Sequence, residues 1–88
     1  MQIEVKLYGN LRQYRPETAG GAPHHPFLFT IPENSAVQTL VMHLGIPDGL
    51  INGAALNGEA VGLDALLHEG DKVHLFAPAA GGTVVSDQ

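Results

Sequence analysis

Polarity alternates along the first residues of the chain. Ile3, Val5 and Leu7 fall on one side and Gln2, Glu4 and Lys6 on the other, the period-two signature of a half-buried strand. Tyr8-Gly9-Asn10 ends that strand, and Leu11 to Tyr14 suits a short helical turn that Pro16 limits. Residues 17–26 hold Gly20, Gly21, Pro23 and Pro26 and read as an irregular exposed loop. Phe27, Phe29 and Ile31 then alternate with Leu28 and Thr30 as a second strand, which Pro32 stops.

The period changes after Ser35. Ser35-Ala36-Val37-Gln38 matches a capping box, and Val37, Leu40, Val41 and Leu44 follow at i, i+3, i+4 and i+7. That is one apolar face of a helix of roughly three turns. Gly45 suits its C-terminal cap, and Pro47 prevents continuation. Ala54-Ala55-Leu56 and Glu59-Ala60-Val61 flank Asn57-Gly58, a strong hairpin signal. Residues 63–67 suggest a short turn of helix with its leucines inward, and Glu69-Gly70-Asp71 a tight turn. In the last strand Val73, Leu75 and Ala77 alternate with Lys72, His74 and Phe76. Pro78, which has no N–H to donate, ends the ladder.

The order is strand, strand, helix, short strands, last strand. A helix that carries the chain back over one face lets the last strand pair in parallel beside the first. The expected class is α+β, a β-grasp (ubiquitin-like) fold with a mixed sheet of four to five strands packed on one main helix. Residues 1–78 make a single domain and residues 79–88 a flexible C-terminal tail. From Ala79 through Gly82 no side chain exceeds a methyl group, so this segment suits threading through a narrow channel. Four residues reach roughly 13–14 Å when extended.

Composition narrows the functional classes. The chain has 88 residues, which suits one domain, and no cysteine, which excludes disulfides and thiolate metal sites. Its formal net charge is −5, with Lys6, Arg12, Arg15 and Lys72 as the only basic side chains apart from histidine. A nucleic-acid binder needs clustered cations, so no nucleic-acid partner is expected. An acidic surface suits a basic protein partner through association rate and specificity. The N-terminal residues lack the apolar core of a signal peptide, and no apolar run is long enough to span a bilayer. The expected location is the cytoplasm, with no membrane partner.

Several segments together resemble the MoaD/ThiS family of ubiquitin-like sulfur carriers. They are Leu7-Tyr8-Gly9-Asn10-Leu11-Arg12 after the first strand, Asn57-Gly58-Glu59 at the hairpin, residues 67–73 entering the last strand, and Pro78-Ala79-Ala80-Gly81-Gly82 at its end. The resemblance runs from Ile3 to Gly82 and is nearest in look to the small subunit of molybdopterin synthase. It implies a carrier that is itself no enzyme. A ubiquitin-activating-type adenylating enzyme, holding ATP and Mg²⁺, would activate the Gly82 carboxylate, and a sulfur donor would convert it to a thiocarboxylate. The large subunit of molybdopterin synthase is the implied acceptor partner, with Pro78, Ala79, Ala80 and Gly81 as the threaded tail. The chain itself would bind no cofactor. One departure stands out: Gly82 is in amide linkage to Thr83. Either a processing protease removes residues 83–88, or the tail is never activated and the domain acts as an interaction module. A protein modifier, conjugated through Gly82, and sulfur delivery for thiamine or an amino acid are further alternatives.

Other residues offer weaker signals. Phe76 falls on the polar face of the last strand with His74 and Lys72, either as an exposed anchor for a partner beside the tail or covered by the sheet. His24-His25 in a Gly/Pro loop lacks a third ligand, so no metal site is expected. Asp64, Glu69 and Asp71 suit turn chemistry, His43 the C-terminal helix dipole, and Arg12 and Arg15 local salt bridges.

Overall fold

The computed structural model describes residues 1–78. Ala79, Ala80, Gly81 and Gly82, the tail residues singled out above, and residues 83–88 lie outside the described residues. Five strands and one α-helix make up the described chain: β1 (Gln2–Leu7), β2 (Phe27–Thr30), α1 (Val37–His43), β3 (Gly53–Leu56), β4 (Glu59–Val61) and β5 (Lys72–Phe76). They form one mixed sheet in the order β2-β1-β5-β3-β4. β1 and β5 pair in parallel, Val5 opposite Val73 and Leu7 opposite Leu75; every other pairing is antiparallel. The expected parallel crossover is therefore present, and the fold is the α+β β-grasp.

One face of the sheet is the core. Ile3, Val5, Leu7, Val73 and Leu75 are fully buried and cluster with Val37, Leu40 and Val41 from the helix. Each such side chain contributes ~1.5–3 kcal/mol through removal from water. The residues between them, Glu4, Lys6 and His74, stay partly exposed on the opposite face. Alternation in the two central strands thus fixes both faces of the sheet.

The helix departs from expectation at its start and in length. It spans seven residues, about two turns, and its N-cap is Ala36. The capping interaction shifts by one residue: Thr39 Oγ1 accepts the Ala36 N–H at 3.2 Å. Ser35 is instead buried, and its hydroxyl donates to the Pro32 carbonyl at 2.7 Å. Ser35 faces inward because its own carbonyl accepts the Leu67 N–H, beside a bridge that pairs Ala36 with Leu66. Tertiary pairing here overrides the local motif. The C-terminus is as expected: Gly45 has φ +77°, its N–H reaches Met42 O, and the Ile46 N–H reaches Val41 O. This is a Schellman cap, which needs the left-handed residue that glycine provides.

Residues 63–67 are not helical. Ala65 N–H closes a turn on Gly62 O, and Leu66 is bridged to Ala36 with its side chain 56% exposed. Only Leu67 of the three leucines is fully inward. The cause is the same: the segment's N–H and C=O groups are taken by the start of α1, with Val37 N–H bonded to Ala65 O and Gln38 N–H to Leu63 O.

Candidate functional site

β5 sits in the centre of the sheet and leads directly to the tail, so its outer face marks the base of the tail. Register assembles that face. Lys6 of β1, His74 of β5, Ala55 of β3 and Ala60 of β4 lie in one row across the sheet. Phe76 lies opposite Gly53 in the next row. Tyr8 follows β1, and its ring stacks on Phe76 with centroids 4.7 Å apart and planes 26° apart. A hydrogen bond of 3.0 Å joins the Tyr8 hydroxyl to His74 Nδ1. With the neutral imidazole proton on Nε2, the hydroxyl donates. Lys6 Nζ stands 5.2 Å from the Tyr8 ring centroid, close enough for a cation–π contact.

The result is a half-buried aromatic cluster of Tyr8, His74 and Phe76, flanked by Gly53 and two alanines. Phe76 fits neither extreme of the sequence reading. It lies on the face away from the helix, as an anchor would, but Tyr8 covers one side of its ring. A pre-stacked pair has less side-chain freedom to lose when another surface closes on it. Tyr8 was legible as the residue that ends β1 and as part of the Leu7–Arg12 segment of the resemblance, not as a member of this face. Continuing the outer-face series Gln2, Glu4, Lys6 by one step would have reached it, and the parallel register shows why it matters.

Beyond the cluster, Ala77 packs beside Gly9, where an added Cβ would stand 3.8 Å from the Ala77 Cβ. Gly9 has φ +59° and opens a 3₁₀ turn, Gly9–Tyr14. Arg15 takes the local role expected of it, though through carbonyls rather than acids. Its guanidinium donates to the carbonyls of Ala19, Gly20 and His25 and lies 5.5 Å from the Phe27 ring centroid. Arg12 is exposed and has no side-chain hydrogen bond or ion pair among the described residues. Both arginines line an open cleft of about 240 Å³ with Glu17, Gly20 and Gly21.

The remaining candidates do not converge. His24 and His25 stack edge to face at 4.5 Å, and His25 Nδ1 accepts the Ala22 N–H. Among the described residues no three His, Asp or Glu side chains are grouped to hold a metal. Asp71 does turn chemistry: it accepts from His68 N–H at 2.7 Å and Asn57 Nδ2 at 3.0 Å. Glu69 accepts the Gln2 N–H at 3.0 Å. No described helix is long and apolar enough to cross a membrane.

The β-grasp domain thus carries an aromatic cluster on the outer face of the strand that leads into the small-residue segment of the sequence. The sequence matches the ThiS family over residues 5–82, and the chain belongs to that family. Small ubiquitin-like proteins of this kind are not enzymes themselves. Solved structures repeat the fold. SAMP1 from Haloferax volcanii, a small archaeal modifier protein, superposes with a TM-score of 0.61 at 21% identity, over 93% of this chain and 100% of that one. A putative molybdopterin converting factor subunit 1 from Pyrococcus furiosus gives 0.62 at 22% identity, over 90% and 99%. The complex of molybdopterin-converting factor subunits 1 and 2 from Helicobacter pylori gives 0.56 at 22%, over 93% and 100%. No curated protein is significantly similar in sequence.

Proposed function

We propose that this chain is a sulfur carrier, matured to Gly82 by removal of residues 83–88 and thiocarboxylated there for molybdopterin synthesis. The observation that carries this reading is the extent of the family match, which runs through Gly81-Gly82 and stops there. A free carboxylate is a poor acyl donor. In the proposed cycle a Gly82 carboxylate oxygen attacks the α-phosphorus of ATP at the partner adenylating enzyme, and pyrophosphate leaves. Sulfide-level sulfur from a donor then attacks the acyl carbon, the carbon–oxygen bond to the phosphate breaks, and AMP leaves. ATP and Mg²⁺ belong to the partner. This chain supplies the slim acyl terminus, and Phe76, His74 and Tyr8 supply the docking face beside Pro78 and the tail. The relative of known assembly, subunit 1 in complex with subunit 2, supports a synthase subunit as the partner that receives the tail.

A second reading keeps Gly82 but conjugates it to lysines of other proteins; the fold shared with SAMP1 favours it. Intact mass of the protein recovered from its native host, without reducing or alkaline treatment, separates the two. A species ending at Gly82, part of it heavier by one oxygen-to-sulfur exchange, is expected for the carrier. Higher-mass adducts that vanish on deletion of Gly82 would mark the modifier. Full-length protein alone, ending at Gln88 while sulfur-requiring cofactors are being made, would overturn both.

A further inference from the structure

Two Asn-Gly steps lie five residues apart in sequence, Asn52-Gly53 and Asn57-Gly58, and the fold treats them in opposite ways. Asn-Gly is the dipeptide most open to intramolecular attack by the backbone, because glycine leaves the following nitrogen unhindered. Asn57 is clamped to β5. Its Nδ2 donates to Asp71 Oδ1 at 3.0 Å, its Oδ1 accepts the Lys72 N–H at 3.0 Å, and its own N–H bonds to Lys72 O. Asn52 is exposed. Its backbone N–H is tied to Phe76 O at 2.7 Å, but its carboxamide has no hydrogen bond among the described residues.

We infer that Asn52 is a site of spontaneous deamidation, and that Asn57 is chemically equivalent but locked by the fold. In the reaction the Gly53 nitrogen, giving its proton to water or hydroxide, bonds to Asn52 Cγ. The Cγ–Nδ2 bond breaks and ammonia leaves. Water then opens the resulting succinimide at either carbonyl, yielding aspartate or isoaspartate. No redox partner is involved. At Asn57 the same attack requires the carboxamide to swing off both β5 partners. At Asn52 the carboxamide has no such partner to leave, and the residue's own restraint is the backbone bond to Phe76 O. The location gives the change a consequence. Residue 52 adjoins Gly53, which lies opposite Phe76, so the new carboxylate appears one residue before the position where β3 meets that part of β5. The isoaspartyl form also adds a backbone methylene where β3 begins to pair with β5.

The test is timed incubation of the full chain in mildly alkaline buffer, native and in denaturant. Peptide mass spectrometry and isoaspartyl methyltransferase labelling then report each asparagine. In the native protein Asn52 is expected to convert roughly tenfold or more faster than Asn57, and in denaturant the two rates should converge. Gly53→Ala has room for its methyl group, since nothing lies within 4 Å of the added Cβ, and it should suppress conversion at residue 52. Asp71→Ala removes one clamp and should raise the native rate at Asn57. Equal native rates at the two sites, or an inert Asn52 in folded protein, would overturn the inference.

Discussion

Tyr8 and Phe76 divide one task at the scale of single side chains. Phe76 provides apolar area, and Tyr8 holds it through the stack while its hydroxyl is spent on His74. On the proposed function, Phe76→Ala is therefore expected to lower affinity for the proposed adenylating partner by ~2 kcal/mol or more, the range of a central interface aromatic. The far-ultraviolet spectrum should not change, because the residue lies off the helix-packed core. Titration calorimetry with thermal melts checks both parts. Arg15 acts on a different surface. Its three carbonyl bonds tie down the loop before β2, so Arg15→Ala should speed amide exchange across residues 16–26 and leave β1 and β5 protected. Hydrogen-exchange mass spectrometry would resolve the two regions.

At the scale of elements, α1 shows how little of a short helix is decided locally. Two turns form a marginal helix in isolation, so its stability comes from Val37, Leu40 and Val41 against the sheet and from its two ends. Gly45 holds the C-terminal end in a left-handed conformation. Gly45→Ala is expected to cost roughly 1–2 kcal/mol, the penalty of that conformation for a residue with Cβ, measurable by urea denaturation. Thr39→Val should cost about 0.5–1.5 kcal/mol by losing the bond to the Ala36 N–H. That result would also identify Thr39, and not Gln38, as the N-terminal capping partner. The β3–β4 hairpin is decided almost wholly by its turn. Asn57 and Gly58 both have positive φ, +51° and +92°, as a two-residue turn of this kind demands.

Across the whole molecule, the parallel pairing of β1 and β5 joins the core to the proposed docking face. The same two strands hold the centre of the core with Val5, Leu7, Val73 and Leu75 and present Lys6, His74 and Phe76 on the other face. Leu75 is fully buried on the helix-packed side of the strand that leads to the tail. Leu75→Ala is expected to cost ~2–5 kcal/mol, a large fraction of the stability of a domain this small. Because the chain ends of β1 and β5 meet only in the folded state, the loss should appear as one cooperative transition, seen alike by circular dichroism and tyrosine fluorescence. Partner binding should fail together with folding, in contrast to Phe76→Ala.

Strand positions, the helix face, the Gly45 stop and the Asn57-Gly58 turn were all legible in the residues, because each rests on local periodicity or on a backbone conformation that few residues adopt. So was the pairing of first and last strands, since a single helix between them leaves few ways to bury both apolar faces. The helix start was not legible, because Ser35 and Leu67 satisfy each other across the chain and move the cap to Ala36. Nor was the non-helical course of residues 63–67, whose backbone groups are claimed by α1. The outer aromatic face was half visible: alternation put His74 and Phe76 on the outer side of β5. That Tyr8 stacks on Phe76 and bonds to His74 depends on register between strands some 65 residues apart, and no local pattern encodes a register. The contrast between Asn52 and Asn57 has the same origin, for identical dipeptides at the two ends of β3 differ in which part of β5 lies beside them.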